Sequence, residues 1–137
     1  MTTTLAAANP NSVRSILALE RVTELRNNLP LEVLTRLVDA CLTDLEEKMP
    51  PFRRALASGV SFEIESQAHT IAGVAAGYGL ASLEAKARAI MAAAKAGDAE
   101  CFATAFAETE AELHRGGSAL REIVQKPLAE PVSLTFS

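Results

Sequence analysis

Apolar residues recur at intervals of three and four positions through most of this 137-residue chain, and this spacing constrains the fold more than any other feature. Two examples are the series Leu34, Leu37, Cys41, Leu45 and the series Leu83, Ala87, Ile90, Ala94. Such spacing places side chains on one face of an α-helix, whereas a half-buried strand needs apolar and polar residues to alternate. Because no segment alternates in this way for long enough, the sequence predicts an all-α protein.

Glycines and prolines divide the chain into five predicted helices. The expected segments are a first helix over about 12–28, a second from Pro30 to about 58, a third from its cap Ser61 to the glycines at 77 and 79, a fourth from about 80–82 to Gly97, and a fifth that Asp98 caps. Pro50-Pro51 predicts a kink or short break in the second helix, since proline lacks an amide hydrogen and clashes with the preceding turn. Gly116-Gly117 predicts a weak point or a close helix contact in the fifth helix.

Helices that are apolar on one face can bury those faces only against one another. The expected architecture is therefore an antiparallel four-helix bundle with an additional N-terminal helix. We expect residues 1–10 to form a flexible leader, residues 11–126 to form the bundle domain, and residues 127–137 to form an irregular tail.

Composition and charge narrow the functional class. The formal net charge is −4, and no predicted face concentrates lysine and arginine, so the chain is not expected to bind nucleic acid. The N-terminus lacks a basic region followed by an apolar core, and the uncharged stretch 66–83 is too short to span a membrane. Cys41 and Cys101 are expected to be buried thiols in a reducing compartment. These features favour a signalling or binding module in the cytoplasm.

His69 lies off the apolar stripe of the third helix, which comprises Ile64, Ala68, Ile71, Ala75 and Tyr78. It falls about 140° around the helix from Ile64, on the side that carries Glu65, Ala72, Gly73 and Ala76. A neutral imidazole has a lone pair available near pH 7, and histidine forms covalent intermediates of the kind used in phosphoryl transfer. His69 is therefore a candidate nucleophile; the alternative is an ordinary exposed histidine.

Other candidate sites carry weaker signals. Glu110 and His114 stand one turn apart, as in half of a carboxylate–histidine metal site, but the other ligands of such a site are missing, so no metal is expected. Gly73, Gly77 and Gly79 match neither phosphate-binding loop pattern and follow a helix where those loops follow a strand. Gly73 and Gly77 do have the spacing at which two helices pack closely.

Around His69 the sequence resembles the signature of the histidine-containing phosphotransfer (HPt) family. The histidine is followed by a glycine four residues later (Gly73), a second glycine ten residues later (Gly79) and a leucine fourteen residues later (Leu83). The Ala-Ser-Gly loop before the third helix and the Ala-Gly-Asp turn before the last helix also fit. The resemblance covers about residues 12–125.

The resemblance implies that His69 is the phosphorylated residue in a multistep two-component phosphorelay. His69 would accept a phosphoryl group from the aspartyl phosphate of one receiver domain and return it to another, the partners being receiver domains of response regulators and hybrid histidine kinases. The protein would be a monomeric phosphoryl carrier and not an enzyme, with no ATP site and no cofactor, because Mg²⁺ belongs to the partner receiver domain. Gly73 would give that domain access, and Glu65 and Ala76 would contribute to docking.

The chain departs from the family pattern three residues after the histidine. The family usually has a lysine there, whose charge steadies the phosphoryl group, and this chain has Ala72. Lys86 and Arg88 are the candidates to compensate, because folding the hairpin about residues 78–80 brings positions 87–91 level with His69. The alternative is that both are ordinary solvated charges. Glu65, one turn before His69, would oppose a dianionic phosphoryl group.

Three functions fit these residues, and the motif favours the first. The first is a phosphorelay carrier that uses His69. The second is a non-catalytic adaptor that binds receiver domains without taking the phosphoryl group, which the alanine at position 72 suggests. The third is a bundle that dimerises through the face of Gly73 and Gly77.

Overall fold

Five α-helices account for most of residues 16–126, the part of the chain that the computed structural model describes. They are α1 (Leu19–Asn28), α2 (Leu31–Ser58), α3 (Ser61–Gly77), α4 (Ala81–Ala96) and α5 (Phe102–Gln125), with a short 3₁₀ turn, Ala99–Cys101, before α5. The expected all-α fold is thereby confirmed. Within residues 16–126, no helix combines the length and the apolar character needed to cross a membrane. The predicted leader at 1–10 and tail at 127–137 lie outside the described residues.

Helices α2 to α5 form a ring in which each helix packs against two others: α2 and α4 each contact both α3 and α5. Short connections make successive helices antiparallel, as predicted. The contact between α3 and α4 is the most extensive because alanines line it; the buried ones are Ala68, Ala72 and Ala75 of α3 and Ala87 and Ala94 of α4. The Ser61 hydroxyl donates to the carbonyl oxygen of Ala94 at 3.0 Å, so the start of α3 is joined to the end of α4.

Larger side chains from α2 and α5 fill the rest of the core. The fully buried ones include Leu34, Val38, Leu45 and Phe52 of α2 and Leu113, Leu120 and Val124 of α5. Thr109 is buried among them, and its hydroxyl donates to the carbonyl oxygen of Ala105 at 2.7 Å, which satisfies the polar group inside the core. Leu37 is 37% exposed, so its prediction as an inward residue is wrong.

Helix α1 crosses the end of the bundle at which α3 turns into α4. The amide of Ala18 donates to the carbonyl oxygen of Gly79 at 2.8 Å. At the other end of α1, the Arg26 guanidinium donates to the carbonyl oxygens of Ile123, at 2.9 Å, and of Lys126. Helix α1 thus connects the α3–α4 turn to the end of α5.

Helix α2 continues without interruption through Pro50 and Pro51, so the predicted short break is wrong. Each proline removes one helical hydrogen bond, to the carbonyl of Glu46 or Glu47. Both of these residues are exposed, and water can satisfy their carbonyl groups. Phe52, fully buried directly after the prolines, anchors the next turn to the core.

Three helix starts also differ from the predictions. Ser61 is the first residue of α3 and not its cap, because its hydroxyl is engaged by α4. The 3₁₀ turn separates Asp98 from α5, so Asp98 does not cap that helix. The helix expected over 12–28 is interrupted at Leu17 and Ala18, where Ala18 has an extended backbone; Leu19–Asn28 is helical, and residues 12–15 lie outside the described part of the chain.

The two glycines inside α5 mark a close helix contact, which confirms one of the two predicted readings. A Cβ atom added to Gly117 would lie 3.3 Å from Leu42 Cδ2 of α2. A Cβ atom added to Gly116 would lie 3.2 Å from Leu80 Cδ2, at the α3–α4 turn. Both glycines are buried, and the helix is unbroken there.

Candidate functional site

His69 lies at the middle of α3 with its side chain exposed to solvent. The residue before it, Ala68, and Ile71, two residues after it, are fully buried, as are Ile64 and Ala75. The backbone that carries the imidazole is therefore fixed to the core on one side, while the ring projects from the other.

The surface of α3 on the C-terminal side of His69 carries only small residues at Gly73, Ala76 and Gly77. Apart from the helix's own backbone and chain neighbours, no heavy atom of the described residues lies within 4 Å of the position a Cβ atom would take at Gly73 or at Gly77. Gly73 is exposed, and Ala76 is half-buried with a side chain of one carbon. Another protein can therefore approach the imidazole closely from the C-terminal side.

Phe62 bounds the same surface on the N-terminal side of His69 and is not among the predicted site residues. Its side chain is 78% exposed, although it is large and apolar. It precedes His69 by seven residues, which is two helical turns, so both side chains lie on one face of α3. The signal was present in the sequence: a lone aromatic residue off the apolar stripe, in register with the candidate nucleophile.

A groove between α2 and α3 runs beside Phe62. It has a volume of 470 Å³ and is lined by Pro51, Arg54, Ala55 and Ser58 of α2 and by Phe62, Glu63, Ser66 and Gln67 of α3. Since Glu63, Ser66 and Gln67 face α2, the opposite flank of α3, which carries Glu65 and Ala72, faces α4.

Ala72, three residues after His69, lies at the edge of the exposed face of α3. Its side chain is fully buried. The reason is that α3 and α4 pack closely through alanines, and this contact covers position 72, on the edge of the exposed face. Glu65, on the same flank one turn before His69, is half-buried.

The two predicted compensating cations point in different directions. Lys86 Nζ pairs with Glu108 Oε1 of α5 at 2.8 Å. Arg88 Nε pairs with Glu84 Oε2 of its own helix at 2.8 Å. Two residues correspond to about 200° around a helix, so Arg88 lies on the flank of α4 opposite Lys86. Because Lys86 faces α5, Arg88 is on the side of α3, the helix of His69.

Three described groups have clearly displaced pKa values. A hydrogen bond and the positive charge of Lys86 lower the pKa of Glu108. Burial, reinforced by the charge of Asp44, raises the pKa of the free Cys41 thiol from 9.0 to about 12. Burial also raises the pKa of Tyr78. The predicted burial of Cys41 is confirmed, and the side chain of Cys101 lies outside what the structure describes.

The second histidine lies in a separate groove between α2 and α5. This groove has a volume of 590 Å³, and its lining includes His114, Glu110 and Arg53. The Arg53 guanidinium lies 5.1 Å from the centre of the Phe106 ring, within the range of a cation–π contact. Among residues 16–126, no group of three or more histidine, cysteine, aspartate or glutamate side chains is arranged to hold a metal ion.

Comparison with known proteins places the chain in a family. The model of the Hpt domain family matches residues 36–125, which is more than half of the sequence. The chain belongs to the Hpt domain family. The matched region contains most of α2 and all of α3, α4 and α5 of this Hpt domain, while α1 precedes it.

A solved structure similar to this Hpt domain is that of histidine-containing phosphotransfer protein B (HptB) from Pseudomonas aeruginosa PAO1. The two share 18% sequence identity with a TM-score of 0.71, and the alignment covers 80% of this chain and 94% of that one. At this level of identity the likeness establishes the helical fold. No curated protein gives a significant match to the sequence.

Proposed function

We propose that this Hpt domain carries phosphoryl groups between receiver domains, with His69 as the acceptor. Its family membership supports a role in phosphorelay signalling. The observation that carries the proposal is the exposed imidazole beside the open surface of Gly73 and Gly77. A nucleophile that must meet an acyl phosphate inside another protein's active site needs this access.

The chemistry requires little from the Hpt domain itself. An unprotonated imidazole nitrogen of His69 attacks the phosphorus of an aspartyl phosphate, in line with the bond from phosphorus to the carboxylate oxygen. The N–P bond forms as the P–O bond breaks, and the aspartate leaves as a carboxylate. Transfer to a second receiver domain reverses these events. The receiver domain supplies Mg²⁺, so the Hpt domain acts as a carrier without an ATP site or cofactor.

The partner docks on the exposed face of α3. Phe62 provides an aromatic anchor, a role in which aromatic side chains are enriched at interfaces. Glu65 and Ala76 border the acceptor, and Gly73 keeps the approach open. The partners are receiver domains of response regulators and hybrid histidine kinases in the cytoplasm, and the carrier acts as a monomer.

Transfer of label from phosphorylated receiver domains tests the acceptor. We expect the full chain to become labelled, the H69Q variant to lose all acceptance, and the H114Q variant to keep it. His114 is a suitable control because it is also exposed and lies on α5. Circular dichroism of both variants checks that the bundle is intact. Undiminished labelling of H69Q would refute the proposal.

Steric blocking tests the docking face. A leucine at position 73 fills the open space beside His69, so we expect G73L to accept the phosphoryl group more slowly than the wild type. An A111L variant, which adds similar bulk at an exposed position of α5, is expected to keep the wild-type rate. Equal rates for G73L and A111L would show that the receiver domain approaches from elsewhere.

The second candidate function is a receiver-binding adaptor, and the alanine at position 72 favours it, since the family's usual lysine charge is absent at that position. An adaptor binds receiver domains, but no donor phosphorylates it. Receiver binding by the wild type without detectable phosphohistidine would select this function over the carrier. Dimerisation through Gly73 and Gly77 is excluded if sedimentation shows a monomer.

A further inference from the structure

The register of α3 against α4 brings Arg88 level with His69. Ser61 of α3 is hydrogen-bonded to Ala94 of α4, and Gly79 lies at the centre of the turn between the helices. Both helices rise by about 1.5 Å per residue. His69 lies eight residues after Ser61, so the residue level with it on α4 lies eight residues before Ala94, at position 86. Measured from the turn, His69 lies ten residues before Gly79, so the residue level with it lies ten residues after Gly79, at position 89. Arg88 falls inside this interval.

Of the cations on α4, Arg88 has the direction and height required. Lys86 lies in the same interval, but it is held by Glu108 on the α5 side, and Ser82, one turn earlier, likewise donates to Glu112 of α5 at 2.8 Å. Lys95 shares the flank of Arg88 but lies about 10 Å further along the helix axis.

Short side chains line the path from Arg88 to the imidazole. Ala72 and Ala76 occupy the flank of α3 that faces α4, and Ala72 is fully buried in the contact. Packed helices have axes about 8–10 Å apart, a distance that an arginine side chain can bridge. The remaining charged groups along this contact are the carboxylates of Glu65 on α3 and Glu84 on α4.

Arg88 can leave its present partner, Glu84, for a group that binds the guanidinium more strongly. The side chains of Arg88 and Glu84 are 53% and 30% exposed, and exposed ion pairs one helical turn apart are weak. A phosphoryl group on His69 carries up to two negative charges on three acceptor oxygens, which suit the planar fork of a guanidinium better than one exposed carboxylate does.

We propose that Arg88 is the positioning residue for phosphorylated His69: Glu84 holds its guanidinium in the unmodified protein, and the guanidinium moves to the phosphoryl oxygens once the N–P bond has formed. The inference rests on the proposed function of His69 as the acceptor. A cation from α4 then provides the charge that position 72 lacks.

The test measures the lifetime of phosphohistidine without any receiver domain. The full chain carrying H114Q is phosphorylated at His69 with phosphoramidate, and hydrolysis is followed by ³¹P NMR. In a loose transition state the phosphoryl oxygens carry less charge than in the dianion, so a cation on those oxygens slows hydrolysis. We expect R88A to shorten the half-life about threefold, the size expected for one exposed ion pair, and K86A to leave it unchanged.

Two further measurements separate this role from a structural one. The ³¹P shift of the phosphohistidine is titrated, and R88A is expected to raise the pKa of the phosphoryl group because the neighbouring cation is gone. R88K is expected to give a half-life between those of R88A and the wild type, because lysine keeps the positive charge on the same flank of α4 but lacks the planar fork of the guanidinium.

The outcomes are distinct. Equal half-lives for the wild type, R88A and K86A, or a shortened half-life in R54A or K95A but not in R88A, would overturn the role of Arg88. If R88A shortens the half-life but no receiver domain labels the protein, the inference about Arg88 stands and the proposed function fails. If receiver domains label His69 and R88A behaves as the wild type, the carrier function stands without Arg88.

Discussion

Replacing Gly79 with alanine tests how closely α1 packs against the α3–α4 turn. Gly79 has φ +73°, and an added Cβ atom would lie 3.0 Å from Val22 Cγ2 and 3.1 Å from the carbonyl oxygen of Ala18. The backbone cannot easily move away, because the amide of Ala18 donates to the carbonyl oxygen of Gly79 at 2.8 Å. The left-handed conformation costs alanine about 1 kcal/mol, and overpacking adds about 2 kcal/mol.

Gly97 provides the matched control. Its φ is also +73°, but among the described residues nothing lies within 4 Å of its added Cβ atom. We therefore expect G97A to lower the free energy of unfolding by about 1 kcal/mol and G79A to lower it by about 3 kcal/mol. Urea unfolding followed by circular dichroism measures both, since the chain has no tryptophan.

The difference between the two variants isolates the contact with α1. Adding V22A to G79A removes the nearest obstructing atom, so V22A should cost less in the G79A background than in the wild type. Equal losses for G79A and G97A, with unchanged denaturant slopes, would refute the close contact between α1 and the turn.

Three further predictions concern the core and the titrating groups. G117A should change the free energy of unfolding by less than about 1 kcal/mol in the wild type, because the gain in helix propensity offsets the approach to Leu42, but should stabilise the L42A variant by about 1 kcal/mol; equal effects in both backgrounds would contradict this. Because the folded-state pKa of Cys41 is raised to about 12, its neutral thiol stabilises the protein fully below pH 9.0, and this contribution is lost as the pH rises from there towards 12. Urea unfolding at alkaline pH should therefore show a shallower loss of stability in C41A than in the wild type, and parallel profiles would argue against it. The folded-state pKa of Glu108 is lowered by Lys86, so the pair stabilises the protein above the ordinary glutamate pKa of 4.5 and is lost as the pH falls through the folded-state value. E108Q should be less stable than the wild type at neutral pH and equal to it in acid, and a difference that persists in acid would show that the loss is not electrostatic.

Local rules predicted the helices well and their ends less well. A kink or short break at Pro50-Pro51 was expected from the missing amide hydrogens, but α2 continues without a break, and the fully buried Phe52 anchors the turn that follows. Ser61 was expected to cap α3, but its hydroxyl bonds to Ala94, a partner 33 residues away. A contact between residues so far apart in the chain cannot be predicted from local sequence patterns.

Around His69, too, some features could be predicted from the sequence and others depended on tertiary packing. Helical spacing and the glycine pattern were sufficient to single out His69 and Gly73, because both depend on positions within one helix. The burial of Ala72 and the opposite directions of Lys86 and Arg88 depend on which helix lies beside each flank. The same helical spacing places Phe62 on the face of His69, two turns earlier.

By itself the sequence determined that the chain is helical, where its apolar faces lie, and which histidine stands off them, because a helix repeats every 3.6 residues whatever surrounds it. The tertiary structure alone decided which side chains at the edges of those faces are covered. The packing distance between two helices and the register between them bury a residue such as Ala72 and pair Lys86 with Glu108 of the neighbouring helix, and neither quantity belongs to any single helix.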